Sequence, residues 1–249
     1  MSYNTFTPIV SSGLTLYLDA ANTKSYSGSG TSWLDLSTYG NTGTLTNGPT
    51  FSGGNSGTII FDGTNDQVLV TNSSTFNNTS SKSVEMWVNT GSIGANFVVI
   101  LTNRGVDDFN VNFTFLIDNR NLVRPWNPAG TNSMVLVYSM GTNSAGYYAY
   151  SNNKLGTTNG DNSWHHIVGV TDLSQNKLFL YYDGELVNST NTSGTPAVPS
   201  ANLRIGSGYT SGGSDFPFTG RISITKIYNR VLTQSEILQN YNATKFRFQ

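Results

Sequence analysis

The sequence contains no cysteine among its 249 residues. No disulfide framework can therefore form, and the redox compartment stays unread. Charge is scarce as well: Asp, Glu, Lys and Arg make up 11% of the chain, against about 25% in ordinary domains. The formal net charge of −1 offers no basic field for phosphate, which argues against nucleic-acid and anionic-membrane partners. No apolar run approaches the length of about 18 residues that a spanning helix needs. The opening MSYNTFTPIVSSG lacks a positive segment followed by an apolar one, which predicts no secretory leader. A protein of this kind acting outside a cell would leave by another route, such as lysis or virion assembly.

What the chain has instead is Gly, Ser, Thr and Asn, with 12% aromatic residues to build a core. That combination is not the signature of disorder. The length allows one large all-β domain that buries roughly 70–75% of its unfolded surface. Short alternating segments separated by turn residues predict strands at 15–18, 58–61, 67–70, 83–88, 97–101, 112–117, 134–138, 147–150, 165–170, 178–182, 203–205 and 221–228. WHHIVGVTDLSQNKLFLYYDGELV, residues 164–187, reads as a strand pair ending in an Asp-Gly turn. Over 221–228, Ile222 and Ile224 share a phase that Ile227 breaks, which predicts a β-bulge or a strand buried on both sides. One helix is expected: Thr233 and Glu236 form a capping box, with Ile237, Leu238 and Tyr241 then on one face. No linker divides the chain. The organisation expected is an arm over 1–12, one domain over 13–246 and a tail over 247–249.

Four stretches carry a resemblance. SWLDLSTYGNTGTLTNGPTF (32–51), IIFDGTNDQVLV (59–70), WHHIVGV…LFLYYDGELV and LRIGSG…FTGRISITKIYNRVLTQSEI (203–237) resemble, in order, the recurring motifs of laminin-G-like, concanavalin A-like lectin-glucanase domains. The resemblance implies an all-β, two-sheet antiparallel jelly-roll sandwich with one short C-terminal helix. It also places Trp33, Trp87 and Trp164 at aromatic positions expected to pack in the core. The opening GLTLYLDAANTKSY and the ending EILQNYNATKFRF look like those of laminin-G-like virion proteins of tailed phages, marine ones especially.

Glycoside hydrolases share this fold, and retaining ones need two carboxyl groups about 5–5.5 Å apart. The glucanase relatives place them as Glu-x-Asp-x-x-Glu, a run missing here. The glutamates are Glu85, Glu185 and Glu236 alone, and Trp87 stands where Glu85 would need an acidic neighbour. Asp118 is the partner left to test. The expectation is no catalytic residue and no enzyme.

Calcium is the one cofactor left open. It takes about six to eight oxygen ligands, and Asp62, Asp66, Asp107 and Asp108 are the carboxylates offered. In relatives a ligand comes from the acidic pair of a G-x-I-D-E-V strand, where this chain has Ser223 and Ile224. For Asp62 and Asp66, hydrogen bonding to the backbone of their own turn is the alternative; for Asp107 and Asp108, it is a solvated loop. His165 and His166, adjacent on a strand, face opposite sides and cannot chelate one ion. The Asn-x-Ser/Thr triplets at Asn78, Asn112 and Asn191 are what an Asn- and Thr-rich chain contains by chance.

Sugar sites pair an aromatic platform with amides and carboxylates. Trp126 and Asn127 in RPWNPAG, Tyr147, Tyr148 and Tyr150 in GYYAY with Asn132, Asn143 and Asn152 around them, and Tyr209 and Phe216 in GYTSGGSDFPF are the residues that fit. Their alternative role is to cover a sheet edge or a neighbouring subunit in a homo-oligomer. The reading is a non-enzymatic virion protein of a phage, capsid-surface, fibre or tail-associated. Its partners are other virion proteins and host-surface glycans. A secreted lectin-like module is the alternative, and a glycan-cleaving enzyme stands behind both.

Overall fold

The computed structural model describes residues 8–54, 56–91, 97–104, 112–118, 133–139, 146–152, 161–194, 196, 198–208 and 215–249. Its strands are β1 (Leu14–Asp19), β2 (Ser32–Trp33), β3 (Gly43–Thr46), β4 (Thr50–Ser52), β5 (Thr58–Asp62), β6 (Gln67–Val70), β7 (Lys82–Thr90) and β8 (Phe97–Thr102). They continue with β9 (Thr114–Asp118), β10 (Ser133–Ser139), β11 (Gly146–Asn152), β12 (Trp164–Asp172), β13 (Lys177–Tyr182), β14 (Glu185–Asn191), β15 (Leu203–Ile205) and β16 (Thr219–Tyr228). Helix α1 (Gln234–Thr244) and a 3₁₀ turn (Lys245–Arg247) close the chain.

The strands form two antiparallel sheets. The first runs β14-β13-β12-β7-β16-β5-β4, with β1 also paired to β16; the second runs β11-β10-β9-β8-β15-β6-β3-β2. Alternation decides what lies between them. Val84, Met86 and Val88 of β7, Ile167 of β12, and Ile222 and Ile227 of β16 meet Phe115 and Ile117 of β9 and Val68, Val70, Leu203 and Ile205 of β6 and β15. This is an all-β concanavalin A-like sandwich.

Every strand expected from alternation forms. Four that were not expected also form: β2, β3, β4 and β14. The first three span two to four residues, too short to show a period. The fourth, ELVNSTN, is a largely exposed edge strand whose composition reads as loop. It is set by its pairing with β13 across the turn Asp183-Gly184, where both residues hold positive φ (51° and 82°), as a two-residue primed turn requires.

The phase break in β16 is a bulge. The register shifts between Ile222 and Ile224, so Ile222 and Ile227 both enter the inter-sheet core while Lys226 and Tyr228 point the other way. That other face is buried too, because α1 lies over it. Val168, Val170, Tyr181 and Tyr228 pack there with Leu232, Ile237 and Val10. Side-chain contacts thus reach into both ends of the chain: Val10 is buried, and Arg247 forks onto Asp19 at 2.8 and 2.9 Å.

The capping box of α1 forms as expected, with Thr233 and Glu236 exchanging bonds. Its buried stripe differs from the expected one. Ile237, Asn240 and Thr244 face inward, whereas Leu238 is 45% exposed. The sheet beneath carries polar groups that need polar partners, so an Asn and a Thr outrank a Leu. One such group is the Trp87 indole, whose Nε1 donates to Thr244 Oγ1 at 2.8 Å. Trp87 and Trp33 are buried as expected, but Trp87 lies under the helix rather than between the sheets, stacked by Phe248 with ring centroids 4.1 Å apart. Trp164 is half-buried and meets Phe248 at 4.9 Å.

Candidate functional site

The outer face of the first sheet holds a cluster of buried ionisable groups. Glu85 and Lys226 are direct cross-strand neighbours on β7 and β16, both fully buried, with Oε1 2.6 Å from Nζ. The second oxygen of Glu85 accepts from Asn240 Nδ2 of α1 at 2.6 Å, and His166 Nε2 stands 3.2 Å from Oε1. Burial alone would raise the Glu85 pKa, yet the Lys226 charge and the His166 contact outweigh it and hold the carboxyl down at about 2. A carboxylate so engaged is anionic at physiological pH and has its oxygens taken up by Lys226 and Asn240. Asp118 is no partner for it. Phe115 and Ile117 point into the core, so Asp118 alternates to the outer face of the second sheet, on the opposite side of the sandwich. Glu236 is committed to Arg230 through two bonds of 2.9 and 2.7 Å, and Glu185 begins the exposed edge strand β14.

The two histidines face opposite sides, as alternation demands. His165 lies between two carboxylates, with Nε2 2.6 Å from Asp161 and Nδ1 2.9 Å from Asp183. Burial pulls its pKa down, but hydrogen bonds to Asp183 and Asp161, with their charges, leave it above the ordinary histidine value. Both ring nitrogens are thereby occupied.

In the FDGTND turn, Asp62 Oδ1 accepts from the Thr64 N–H at 2.8 Å, and Asp66 Oδ2 accepts from the Asp62 N–H at 2.9 Å. These carboxylates bind their own turn's backbone. Burial and the charge of Asp62 raise the Asp66 pKa despite that bond. Two carboxylates fall well short of the about six to eight oxygens calcium takes. Among the described residues no group of three or more His, Cys, Asp or Glu converges as a metal centre would. Asp107 and Asp108 lie outside the described residues, as do Trp126, Asn127 and Tyr209.

The remaining sequence candidates fall on β11 and on the segment that follows β15. The strand separates Tyr147 from Tyr148. Tyr147 packs against the inter-sheet core and its hydroxyl is 2.6 Å from Ser193 Oγ. Tyr148 points outward, where it and Phe216 join Phe97 and Tyr150 around the buried Val99 and Leu116. The structure therefore unites Tyr148 with Phe216 across 68 positions of chain and removes Tyr147 from the group.

Backbone geometry explains how Phe216 arrives there. The β8–β9 register shifts between Val99 and Leu101. The Val99 N–H donates to Phe216 O at 3.1 Å, the Gly206 N–H to Ile100 O at 2.7 Å, and the Phe216 N–H to Gly208 O at 2.9 Å. Gly208 lies so close that a Cβ would sit 2.6 Å from Val99 and 2.8 Å from Thr102, so only glycine lets this segment approach β8. Phe216 then meets Phe97 edge-on, with centroids 5.0 Å apart at 77°. Thr190 Oγ1 donates to Tyr148 O at 2.7 Å and ties β11 to β14. Burial raises the Tyr148 hydroxyl pKa, against the lowering charge of Arg104, so it is a neutral donor at physiological pH.

The result is a group of four half-buried rings on an apolar floor. Thr102 and Thr114 bond each other at 2.6 Å and, like Asp118, are buried, which leaves the tyrosine hydroxyls as the polar groups of the ring cluster. Such an arrangement can stack on an apolar ligand face and bond its edges. Tyr150 belongs to the same GYYAY stretch as Tyr148, whereas Phe97 was legible only as a strand residue, its signal being alternation two positions from Val99.

Comparison with solved structures returns receptor-binding domains. The binding domain of botulinum neurotoxin DC, solved in complex with SialylT, matches with a TM-score of 0.69 at 13% identity over 94% of this chain and 52% of that one. The binding domain of Paraclostridial Mosquitocidal Protein 1 matches with 0.67 at 14% over 93% and 52%. The receptor-binding domain of botulinum neurotoxin type G matches with 0.65 at 16% over 92% and 51%. The chain spans about half the length of these structures, and at such identity the likeness shows the fold. No curated protein sequence matches. The family model for laminin G domains of the concanavalin A-like lectin/glucanases superfamily matches residues 62–238, and this chain belongs to that family.

Proposed function

We propose that this chain is a non-enzymatic adhesive module that binds carbohydrate through the outer face of its second sheet. The observation that carries the reading is the cluster of Phe97, Tyr148, Tyr150 and Phe216, half-buried over Val99 and Leu116. Trp126, Asn127 and Tyr209 are further candidates for the same ligand. The module serves on a phage virion, in the capsid surface, fibre or tail, where it contacts other virion proteins and host-surface glycans. The likeness of its ends to phage virion proteins supports that setting. Glu85 supports the non-enzymatic part, since its carboxylate is neutralised by Lys226 and covered by Asn240.

A second reading, a lectin-like module of a secreted cellular protein, is favoured by the similar structures, each about twice this length and described as a binding domain. The test is binding of the purified protein to a broad glycan panel, with calcium and with EDTA, alongside Phe216→Ala, Tyr148→Ala and Trp126→Ala. Binding that Phe216→Ala or Tyr148→Ala abolishes is the expected result. Loss in EDTA would add a working calcium site, with Asp107 and Asp108 the next residues to change. Silence across the panel would sink the carbohydrate reading and leave the rings as subunit contacts. Immunogold labelling of particles separates the virion setting from the secreted one.

A further inference from the structure

Away from the aromatic face, two turns enclose a cleft of about 360 Å³ lined by Gly40, Asn41, Thr42, Thr71, Asn72 and Ser73. Its volume falls at the lower end of the roughly 300–1,000 Å³ typical of small-molecule sites. The lining decides the chemistry. No charged side chain and no large apolar one contributes to it, so phosphates, carboxylates and fatty ligands find no complement there. Hydroxyls and amides suit an uncharged ligand rich in hydroxyl groups.

Both walls are preformed. Asp35 accepts from the N–H groups of Tyr17, Ser37 and Asn41, each at 2.8 Å. Asn41 Nδ2 donates to Thr15 O at 2.7 Å and Thr75 Oγ1 at 2.9 Å. On the other wall, the Asn72 N–H donates to Asn202 at 3.0 Å, and its Oδ1 accepts from Asn77 at 2.6 Å. The amides thus hold the turns in place, and among the described residues none bonds the hydroxyls of Thr42 and Thr71. Gly40 adopts φ +70° with open space where a Cβ would stand, so the mouth is clear. Tyr39, next to it in the chain, is 50% exposed. Rigid walls with hydroxyls left over bind without the ordering cost that weakens flexible sites.

We propose that this cleft is a second ligand site, taking a single neutral pyranose ring, separate from the aromatic face. Its partner hydroxyls are those of Thr42 and Thr71. Two sites on one small domain would raise the avidity of a multivalent surface contact.

The test titrates isotope-labelled protein with methyl glycosides of mannose, galactose and glucose, following backbone amide shifts. Wild type, Thr71→Trp (which fills the cleft from an exposed position), Thr42→Val and Phe216→Ala run in parallel, with thermal melts to confirm the fold. The expected result is saturable, millimolar binding of at least one glycoside that shifts residues 39–42 and 71–73. Thr71→Trp should weaken it by at least about tenfold, Thr42→Val by a few-fold, and Phe216→Ala should leave it unchanged. Absence of shifts at these residues with all three sugars overturns the proposal, whatever the aromatic face does. Shifts that persist undiminished in Thr71→Trp overturn it as well. Silence of the wild type across the glycan panel with these cleft shifts retained would instead remove the aromatic-face reading alone.

Discussion

The two outer faces of the sandwich are built from strands of the same kind and meet opposite fates. On the first sheet, Glu85, His166, Trp87 and Lys226 are all buried, because the chain's own C-terminal helix and Phe248 lie over them. On the second, Phe97, Tyr148, Tyr150 and Phe216 remain half-buried around Val99 and Leu116. On the first face Glu85 has its partners inside the protein, in Lys226 and Asn240. On the second the neutral rings stay partly open to solvent. An ion pair taken out of water needs fixed, complete hydrogen bonding, and such a site cannot also exchange ligands. The difference gives the first face a structural role and leaves the second as the face of the proposed binding.

The largest effect expected to test that contrast is at Glu85. Glu85→Ala leaves Lys226 buried without its carboxylate and should cost about 3–5 kcal/mol in urea unfolding. Replacing both residues by Met should recover much of that loss. A cost below about 1 kcal/mol for Glu85→Ala would break the assignment of this face to stability. The same pair sets an acid limit. With a folded value near 2 against an ordinary 4.5, the Glu85 contribution is full above the unfolded value and is lost as pH falls through the folded one. Stability measured across that window should drop more steeply in the wild type than in Glu85→Gln.

Phe248→Ala comes next. It removes the ring stacked on Trp87 and beside Trp164, with an expected loss of about 1–2 kcal/mol and a shift in tryptophan emission. Glycan binding at the other face should be untouched. Thr233→Ala, which deletes the cap of α1, should cost about 1 kcal/mol, read as a lower melting temperature. If these helix variants changed ligand binding without unfolding the protein, the two faces would be coupled rather than separate.

The smallest effect concerns pH at His165. Its folded-state pKa is raised, so the stabilisation it brings is complete below the unfolded value and disappears as pH rises through the folded one. His165→Gln should flatten the stability profile above the ordinary histidine value of about 6.5. An unchanged profile would show that the bonds to Asp161 and Asp183 do not favour the charged ring.

Much of the fold was legible because alternation reports which strand face is buried. The Asp183-Gly184 turn, the β16 bulge and the capping box at Thr233 are local devices, written in adjacent residues. β14 was not legible, since a polar edge strand is defined by the neighbour it pairs with. The candidate site was legible by halves. Tyr148 and Phe216 could be named as aromatic residues near turns, but nothing local joined them or told Tyr148 from Tyr147.

The sequence by itself determined the class of fold, the burial of its alternating apolar residues and the shortage of charge that leaves hydroxyls, amides and rings to make contacts. Only the tertiary structure decided that α1 shields a polar sheet face, that Glu85 meets Lys226 across strands separated by 141 positions, and that Phe216 returns beside Phe97. The physical reason is range. Strand period, turns and caps depend on residues a few positions apart, whereas a face is assembled from strands that only folding makes neighbours.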